Sequence, residues 1–215
     1  MVTFGDKYYL VDELFCIGVI RLDFEDPYHL GNNLYSPIYF DHLRILSYPS
    51  VLSTLMSYLR KIINQRSSGL PRRYDVLAGF DDSEAITAAI GYMLVKPTIF
   101  VQKELSYKCN WVMLAVLVGS TVAHEDRIFR AVSVLRDSNC NVSDLVVIFD
   151  YQVIDGKDLT NHGLSTSAVL CLDDVVRYLS DERKIYSVKA LESLAEYAQD
   201  PIAWSAKRGG RRNAY

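Results

Sequence analysis

The sequence has few cysteines, and they are not arranged in a way that would build a structural site. The four cysteines, Cys16, Cys109, Cys140 and Cys171, are far apart and form no C-x-x-C pair, which argues against the common structural zinc sites. The sequence also lacks a run of 18 apolar residues and a signal peptide, so we expect neither a membrane span nor secretion. These absences predict a chain with reduced thiols in the cytoplasm.

A strong charge imbalance is also missing. The 215 residues carry a formal net charge of −3, which gives the body of the chain no general attraction to nucleic acid. The exception is a basic, glycine-containing stretch at residues 207–212. We expect residues 201–215 to form a flexible basic tail, with contact to RNA or to a partner as the alternative.

Strands and helices alternate along the chain. Residues 115–118 and 145–149 are uninterrupted apolar runs, and the segment between them has apolar residues at helical spacing. Continuous apolar strands joined by a crossover helix are typical of a parallel sheet covered on both faces. In such sheets ligands bind at the carboxyl ends of the strands. The turn at residues 119–126 is therefore the predicted functional loop.

The remaining pattern fits the same α/β architecture. Asp81, Asp82 and Ser83 are expected to cap the helix that follows them. We predict one α/β domain at residues 1–200, with a mainly parallel sheet flanked by helices and a small N-terminal extension. Its further predicted elements are helices at residues 7–20, after Pro49 and from residue 188, and strands at residues 35–46, 74–79, 98–101 and 168–172.

Several segments, in their order and spacing, carry a resemblance to a known family. They are residues 34–41 (LYSPIYFD), 47–49 (SYP), 75–79 (DVLAG), 103–104 (KE), 131–136 (AVSVLR), 144–150 (DLVVIFD) and 161–163 (NHG). Together they resemble the orotate phosphoribosyltransferase family, which also forms the first half of animal UMP synthase, and the resemblance covers residues 7–198. It implies a type I phosphoribosyltransferase fold, a homodimer, and formation of orotidine monophosphate from orotate and phosphoribosyl pyrophosphate with magnesium.

The loop that carries the family's chemistry has changed. In the family it reads E-D-x-x-T-T/S-G-x-S, where two acids hold the ribose hydroxyls and a cradle of amides and hydroxyls holds the 5′-phosphate. Considered apart from the resemblance, Glu125 and Asp126 are interpreted as acids that complement the dipole of the helix they begin. The alternative is that they act together as a general acid and base. The aligned positions are Gly119 and Ser120 for the two acids, and Ala123, His124, Glu125, Asp126 and Arg127 for the cradle.

The catalytic lid and two further ligand sites of the family have changed as well. The lid segment is shortened, although a lid that excludes water needs length. Two aspartates would face the pyrophosphate, and a tyrosine replaces the arginine that holds the orotate carboxylate. The changed positions are Ser106 and Lys108 after Lys103 in the lid, Asp81 and Asp82 in the pyrophosphate loop, and Tyr151 at the orotate site.

These changes predict a catalytically inactive relative of the family that acts as a dimeric interaction or scaffold module, without cofactor or metal. Its partner would be a second copy, an active relative or another protein. The alternative is a divergent orotate phosphoribosyltransferase of pyrimidine biosynthesis, using magnesium and with Lys103 and Lys108 as lid cations. A third hypothesis is an RNA-associated protein that binds through the tail.

Histidine chemistry is a weak further alternative. The four histidines have no metal-ligand spacing. Ser120 and His124 could form a nucleophile and base, but the sequence offers neither a G-x-S-x-G elbow nor an evident third member.

Overall fold

A computed structural model describes residues 4–67, 74–102, 105, 111–181 and 187–210. The chain divides into two compact units where a single domain of residues 1–200 was expected. The first, here called the sheet unit, consists of Ser53–Phe149 and Ile154–Val169. The second, here called the hairpin unit, consists of Val2–Leu52, Asp150–Val153 and Leu170–Tyr215.

The helices and strands alternate in much the order that the sequence predicts. They are α1 (Phe4–Cys16), β1 (Ile20–Leu22), β2 (Tyr28–Gly31), β3 (Leu34–Ser36), β4 (Ile38–Phe40), α2 (His42–Ile45), α3 (Pro49–Ser67), β5 (Val76–Phe80), α4 (Glu84–Leu94), β6 (Thr98–Val101), β7 (Met113–Val122), α5 (Glu125–Asp137), β8 (Cys140–Asp150), α6 (Gly156–Asn161), β9 (Ser165–Cys171), α7 (Leu172–Asp181), α8 (Val188–Gln199) and α9 (Pro201–Ala206).

A five-stranded parallel sheet, in the order β6-β5-β7-β8-β9, forms the centre of the sheet unit. Leu77 pairs with Thr98 on one side of β5 and with Val116 on the other. All of β5 and residues 145–149 of β8 are buried, as expected for strands covered on both faces. The predicted α/β class with a mainly parallel sheet is therefore confirmed.

Helix α5 shows why the apolar spacing predicted a crossover helix. Ile128, Val132 and Leu135 lie on one face and are buried in the core. Phe129 packs partly against the same core and stacks on His162 at 3.8 Å between ring centroids. The opposite face of α5 carries the charged residues, which is the usual arrangement for a helix on the surface of a sheet.

Two elements of the hairpin unit have other bounds than the sequence predicts. The predicted helix at residues 7–20 ends at Cys16, because Gly18 adopts a φ of 70° that terminates the helix. The predicted strand at residues 35–46 is divided into β3 and β4 and ends at Phe40, because Asp41 caps the short helix α2 through a bond from the Arg44 amide.

The predicted flexible tail is wrong for residues 201–210. Asp200 accepts a hydrogen bond from the amide of Ala203 and caps α9, and Trp204 is only 1% exposed. The Ser205 hydroxyl accepts a hydrogen bond from the amide of Tyr35 at 2.8 Å. A buried tryptophan therefore anchors this segment to its own unit, and residues 211–215 lie outside the described part.

The basic residues after α9 are engaged within the hairpin unit. Lys207 forms an ion pair with Glu196. The guanidinium carbon of Arg208 lies 3.6 Å from the centroid of the Trp204 ring.

Of the described helices, none combines the length and apolar character needed to cross a membrane.

Candidate functional site

The carboxyl ends of β5 and β7 lie side by side in the sheet unit, where a parallel sheet usually binds its ligand. The cavity at this point has a volume of about 30 Å³. Six of the sequence-predicted site residues line it together with Phe80 and Thr121. Those six are Asp81, Asp82, Ser120, Ala123, His124 and Arg127.

Three of the predicted loop residues, Gly119, Glu125 and Asp126, do not line this cavity. Glu125 and Asp126 begin the first turn of α5, and Asp126 forms an exposed i,i+4 ion pair with Arg130 at 3.9 Å. This position agrees with the interpretation that both acids complement the helix dipole. Lys103, Ser106 and Lys108 lie outside the described residues.

Gly119, the position of the family's first acid, lies against the side chain of Phe80. A Cβ at Gly119 would come within 2.9 Å of the Phe80 Cε1 atom and within 3.1 Å of Val147 Cγ1. Because carbon atoms of side chains do not approach so closely, no side chain fits at position 119 without movement of its neighbours. The sequence did not identify Phe80 as a site residue, because this contact joins two strands that are far apart in the chain.

The loop after β5 is held by Ser83, which is fully buried. Its Oγ accepts a hydrogen bond from the Phe80 amide at 2.9 Å and lies within donating distance of the carbonyl oxygens of Phe80 and Val118. Ser83 was expected to cap α4, and it does stand at the N-cap position, but its side chain makes no capping bond. Instead, the hydroxyl joins the ends of β5 and β7.

Asp81 projects from this loop with a φ of 53°, a left-handed conformation that aspartate tolerates better than most residues. Its Oδ2 lies 3.6 Å from Nη1 of Arg127. Burial raises the pKa of the Asp81 carboxyl above its usual value, while Arg127 lowers it and Asp82 raises it. Arg127, which the sequence aligns with the family's phosphate cradle, therefore pairs with Asp81 of the loop after β5.

Ser120, which aligns with the family's second acid, has a buried hydroxyl group that makes no hydrogen bond. The residue is 2% exposed, and its Oγ has no hydrogen-bond partner. The suggested nucleophile and base pair of Ser120 with His124 is therefore not formed, and that alternative is wrong for this structure. The described residues contain no group of three metal-binding side chains.

Tyr151 belongs to the hairpin unit, where its side chain is fully buried. Its hydroxyl accepts a hydrogen bond from the backbone amide of Phe40 at 2.9 Å. Burial is the main cause that raises the pKa of Tyr151. The next residue, Gln152, exchanges two hydrogen bonds with Asp173, one through its amide nitrogen and one through its amide oxygen. The residue at the arginine position is therefore part of an internal network.

Known proteins similar to this chain carry one name repeatedly. No family model matches the chain. A curated relative from Rhizobium rhizogenes, named orotate phosphoribosyltransferase, is 24% identical over 232 aligned residues and covers 97% of this chain and 96% of its own length. Another of the same name, from Coxiella burnetii, is 23% identical over 199 residues and covers 87% of this chain and 93% of its own.

Solved structures agree with this at the level of the fold. Orotate phosphoribosyltransferase from Aeropyrum pernix superposes with a TM-score of 0.69 at 20% identity, covering 80% of this chain and 99% of that one. The chain is a relative of the orotate phosphoribosyltransferases. UMP synthase from Leishmania donovani gives a TM-score of 0.77 at 19% identity over 91% of this chain. The chain described here spans 43% of the length of that UMP synthase chain.

Proposed function

We propose that this relative of the orotate phosphoribosyltransferases has lost the transferase reaction and acts as a dimeric interaction module. The observation that carries the proposal is the contact of Phe80 with Gly119. A carboxylate that holds a ribose hydroxyl needs a side chain at this position, and the ring occupies the space where that side chain would begin. The change is therefore built into the packing as well as into the sequence.

The size of the cavity supports the same proposal. A single water requires about 10–15 Å³ of space for its centre. With about 30 Å³, the cavity itself holds one or two water molecules, so a phosphoribosyl group would have to extend through its open mouth. Ligand binding in the manner of the family would require Phe80 and the loop at Asp81 to move.

The charges at the cavity also oppose a polyanionic substrate. Asp81 and Asp82 align with the family's pyrophosphate loop, and the one arginine among the lining residues is paired with Asp81. Like charges at about 4 Å repel by roughly 1 kcal/mol even in water, and by more near a protein surface. The residues present do not fit a magnesium complex of phosphoribosyl pyrophosphate, so we derive no catalytic step through one.

A divergent orotate phosphoribosyltransferase of pyrimidine biosynthesis is the second candidate. It is favoured by the curated relatives that carry this name. The alignment with the Rhizobium rhizogenes protein covers 96% of that protein's length. This reading needs Lys103 and Lys108 to supply the charge of the lid, and magnesium to accompany the substrate. It also needs a way to bind ribose without acids at Gly119 and Ser120.

Thermal unfolding with and without phosphoribosyl pyrophosphate and magnesium distinguishes the two candidates. A ligand present at 100 times its dissociation constant adds about 2.7 kcal/mol of stability. We expect no shift of the melting temperature at millimolar ligand and no orotidine monophosphate from added orotate. A known orotate phosphoribosyltransferase assayed in parallel is the positive control. A shift of several degrees, or turnover near about 1 per second, would establish the enzymatic candidate.

The partner in the leading proposal is a second copy of the chain, with an active relative or another protein as the other possibilities. Nucleic-acid binding through the tail loses support, because Lys207 and Arg208 are already engaged within the hairpin unit. A cytoplasmic location stays an expectation of the sequence.

A further inference from the structure

A large cavity lies within the hairpin unit, between the turn that follows β1 and helix α8. Its volume is about 710 Å³, which falls within the range of about 300–1,000 Å³ that is usual for small-molecule sites. The turn contributes residues 22–25, and the rest of the lining comes from α8 with its cap and from Arg208. None of these residues belongs to the candidate site at the ends of β5 and β7.

Acidic side chains outnumber basic ones around this cavity. Four of the lining residues are acids and two are bases. Glu192 and Glu196 stand four residues apart on α8, so their side chains lie on the same face of the helix. Like charges at this spacing oppose each other, and a bound cation would relieve the repulsion. The acids are Asp23, Glu25, Glu192 and Glu196, and the bases are Lys189 and Arg208.

Three of the four carboxylates are available to a ligand. Glu25 and Glu192 are exposed and form no ion pair with any residue in the described part of the chain. Asp23 Oδ1 accepts hydrogen bonds from the backbone amides of Glu25 at 3.0 Å and of Asp26 at 2.8 Å. These bonds fix the Asp23 carboxylate and leave its Oδ2 atom for another donor. Glu196 is the exception, because it already pairs with Lys207.

The basic side chains are less available than the acidic ones. Arg208 Nη1 donates a hydrogen bond to the Trp204 carbonyl oxygen at 3.3 Å, and the guanidinium group lies over the Trp204 ring. Turning this guanidinium toward an anion in the cavity would break both contacts. Lys189 is then the one lining base that forms no ion pair within the described residues. The lining therefore suits a cationic ligand better than an anionic one.

Apolar side chains in the lining favour an organic cation over a metal ion. Leu22, Phe24 and Ala190 are half-buried and line the cavity. Apolar surface of this kind packs against methylene groups, and the face of an aromatic ring attracts an ammonium group. A metal ion needs neither of these contacts. It needs several oxygen, nitrogen or sulfur ligands in one place, and the described residues contain no group of three metal-binding side chains.

We propose that this cavity binds a linear polyamine, a flexible chain of methylene groups that carries several ammonium groups. The ammonium groups contact Asp23, Glu25 and Glu192, and the methylene groups pack on Leu22 and Ala190. Because the carboxylates come from separate parts of the lining, a ligand with several charges engages them together, whereas a simple amine engages one. The inference goes beyond the proposed function and does not depend on the loss of catalysis, because the two sites lie in different units.

Isothermal titration calorimetry with spermidine tests the proposal on the full chain. We expect one site per chain and binding about 10-fold tighter than that of butylamine, with sodium chloride added to keep the ionic strength equal. Glu25→Gln and Glu192→Gln should each raise the dissociation constant of spermidine about five-fold, the upper end of what an exposed ion pair contributes. Lys189→Gln should lower the dissociation constant, because it removes a like charge from the cavity.

Glu13→Gln is the matched control, because Glu13 is an exposed glutamate of α1 that does not line the cavity. This substitution makes the same change of net charge and should leave the dissociation constant unchanged, while circular dichroism checks that every variant is folded. Equal weakening by Glu13→Gln would overturn the site, and so would spermidine that binds no more tightly than butylamine. Tighter binding of a lysine-rich peptide, lost in Glu25→Gln and Glu192→Gln, would overturn the polyamine as the ligand.

Discussion

The ring of Phe80 occupies the space above Gly119, and a Cβ at position 119 would lie 2.9 Å from its Cε1 atom. A side chain at the end of β5 therefore fills the space beside a glycine of β7. The contact leaves no room for a side chain at position 119 unless its neighbours move.

The first prediction concerns Gly119→Ala and Gly119→Glu. Overpacking at a well-packed site typically costs about 1–3 kcal/mol, so we expect Gly119→Ala to destabilise the chain and Gly119→Glu to do so more strongly. Combination with Phe80→Ala should relieve part of the loss, because the two sites are in contact and their effects are not additive. Chemical denaturation measures these differences.

Gly156→Ala is the control for this series. A Cβ at Gly156 meets nothing within 4 Å, so this substitution should be close to neutral. Equal losses at Gly119 and Gly156 would contradict the importance of the Phe80 contact.

The second prediction concerns Trp204→Ala. The ring is 1% exposed, and its Nε1 donates a hydrogen bond to Ser193 Oγ at 3.2 Å. Replacing a buried aromatic residue by alanine typically costs about 3–5 kcal/mol. Trp111→Ala is the matched control, because Trp111 is 69% exposed and should change stability by no more than about 0.5 kcal/mol. If both substitutions were equally mild, α9 would not be anchored as the structure indicates.

The sequence predicted the centre of the sheet well, because residues 115–118 and 145–149 leave few alternatives to buried strands. It failed at α9, a helix of six residues whose single tryptophan is surrounded by small and basic residues. Periodicity has little meaning over so short a segment, and only the tertiary contact of Trp204 fixes it.

The candidate site shows the same limit. The aligned loop residues were found from the sequence, and six of them line one cavity. The role of Phe80 and the bonding of Ser83 could not be found, since both depend on contacts between β5 and β7. A serine before a helix predicts a cap, and the structure uses the hydroxyl to join two strands instead.

The third prediction concerns Tyr151→Phe. The substitution keeps the ring but removes the oxygen that accepts the bond from the Phe40 amide. Loss of one partner of a buried hydrogen bond costs about 1–3 kcal/mol. Tyr92→Phe is the matched control, since the exposed Tyr92 hydroxyl can bond to water and its removal should be nearly neutral. Tyr151→Arg, which introduces the residue that the resemblance implies at this position, should destabilise more because it buries a charge.

The last prediction concerns Val95, whose φ of 54° places a β-branched residue in the left-handed region. Val95→Gly should stabilise the chain by about 1 kcal/mol. The left-handed conformation costs an L-residue about 1–2 kcal/mol, and glycine removes this cost. Part of the stabilisation is lost again, because glycine has more conformational freedom in the unfolded chain. Ala88→Gly in the unaltered chain is the comparison within the same helix, and it should destabilise by about 1 kcal/mol, because position 88 has ordinary helical geometry. If Val95→Gly also destabilised the chain, the valine side chain would be stabilising its own fold despite its exposure.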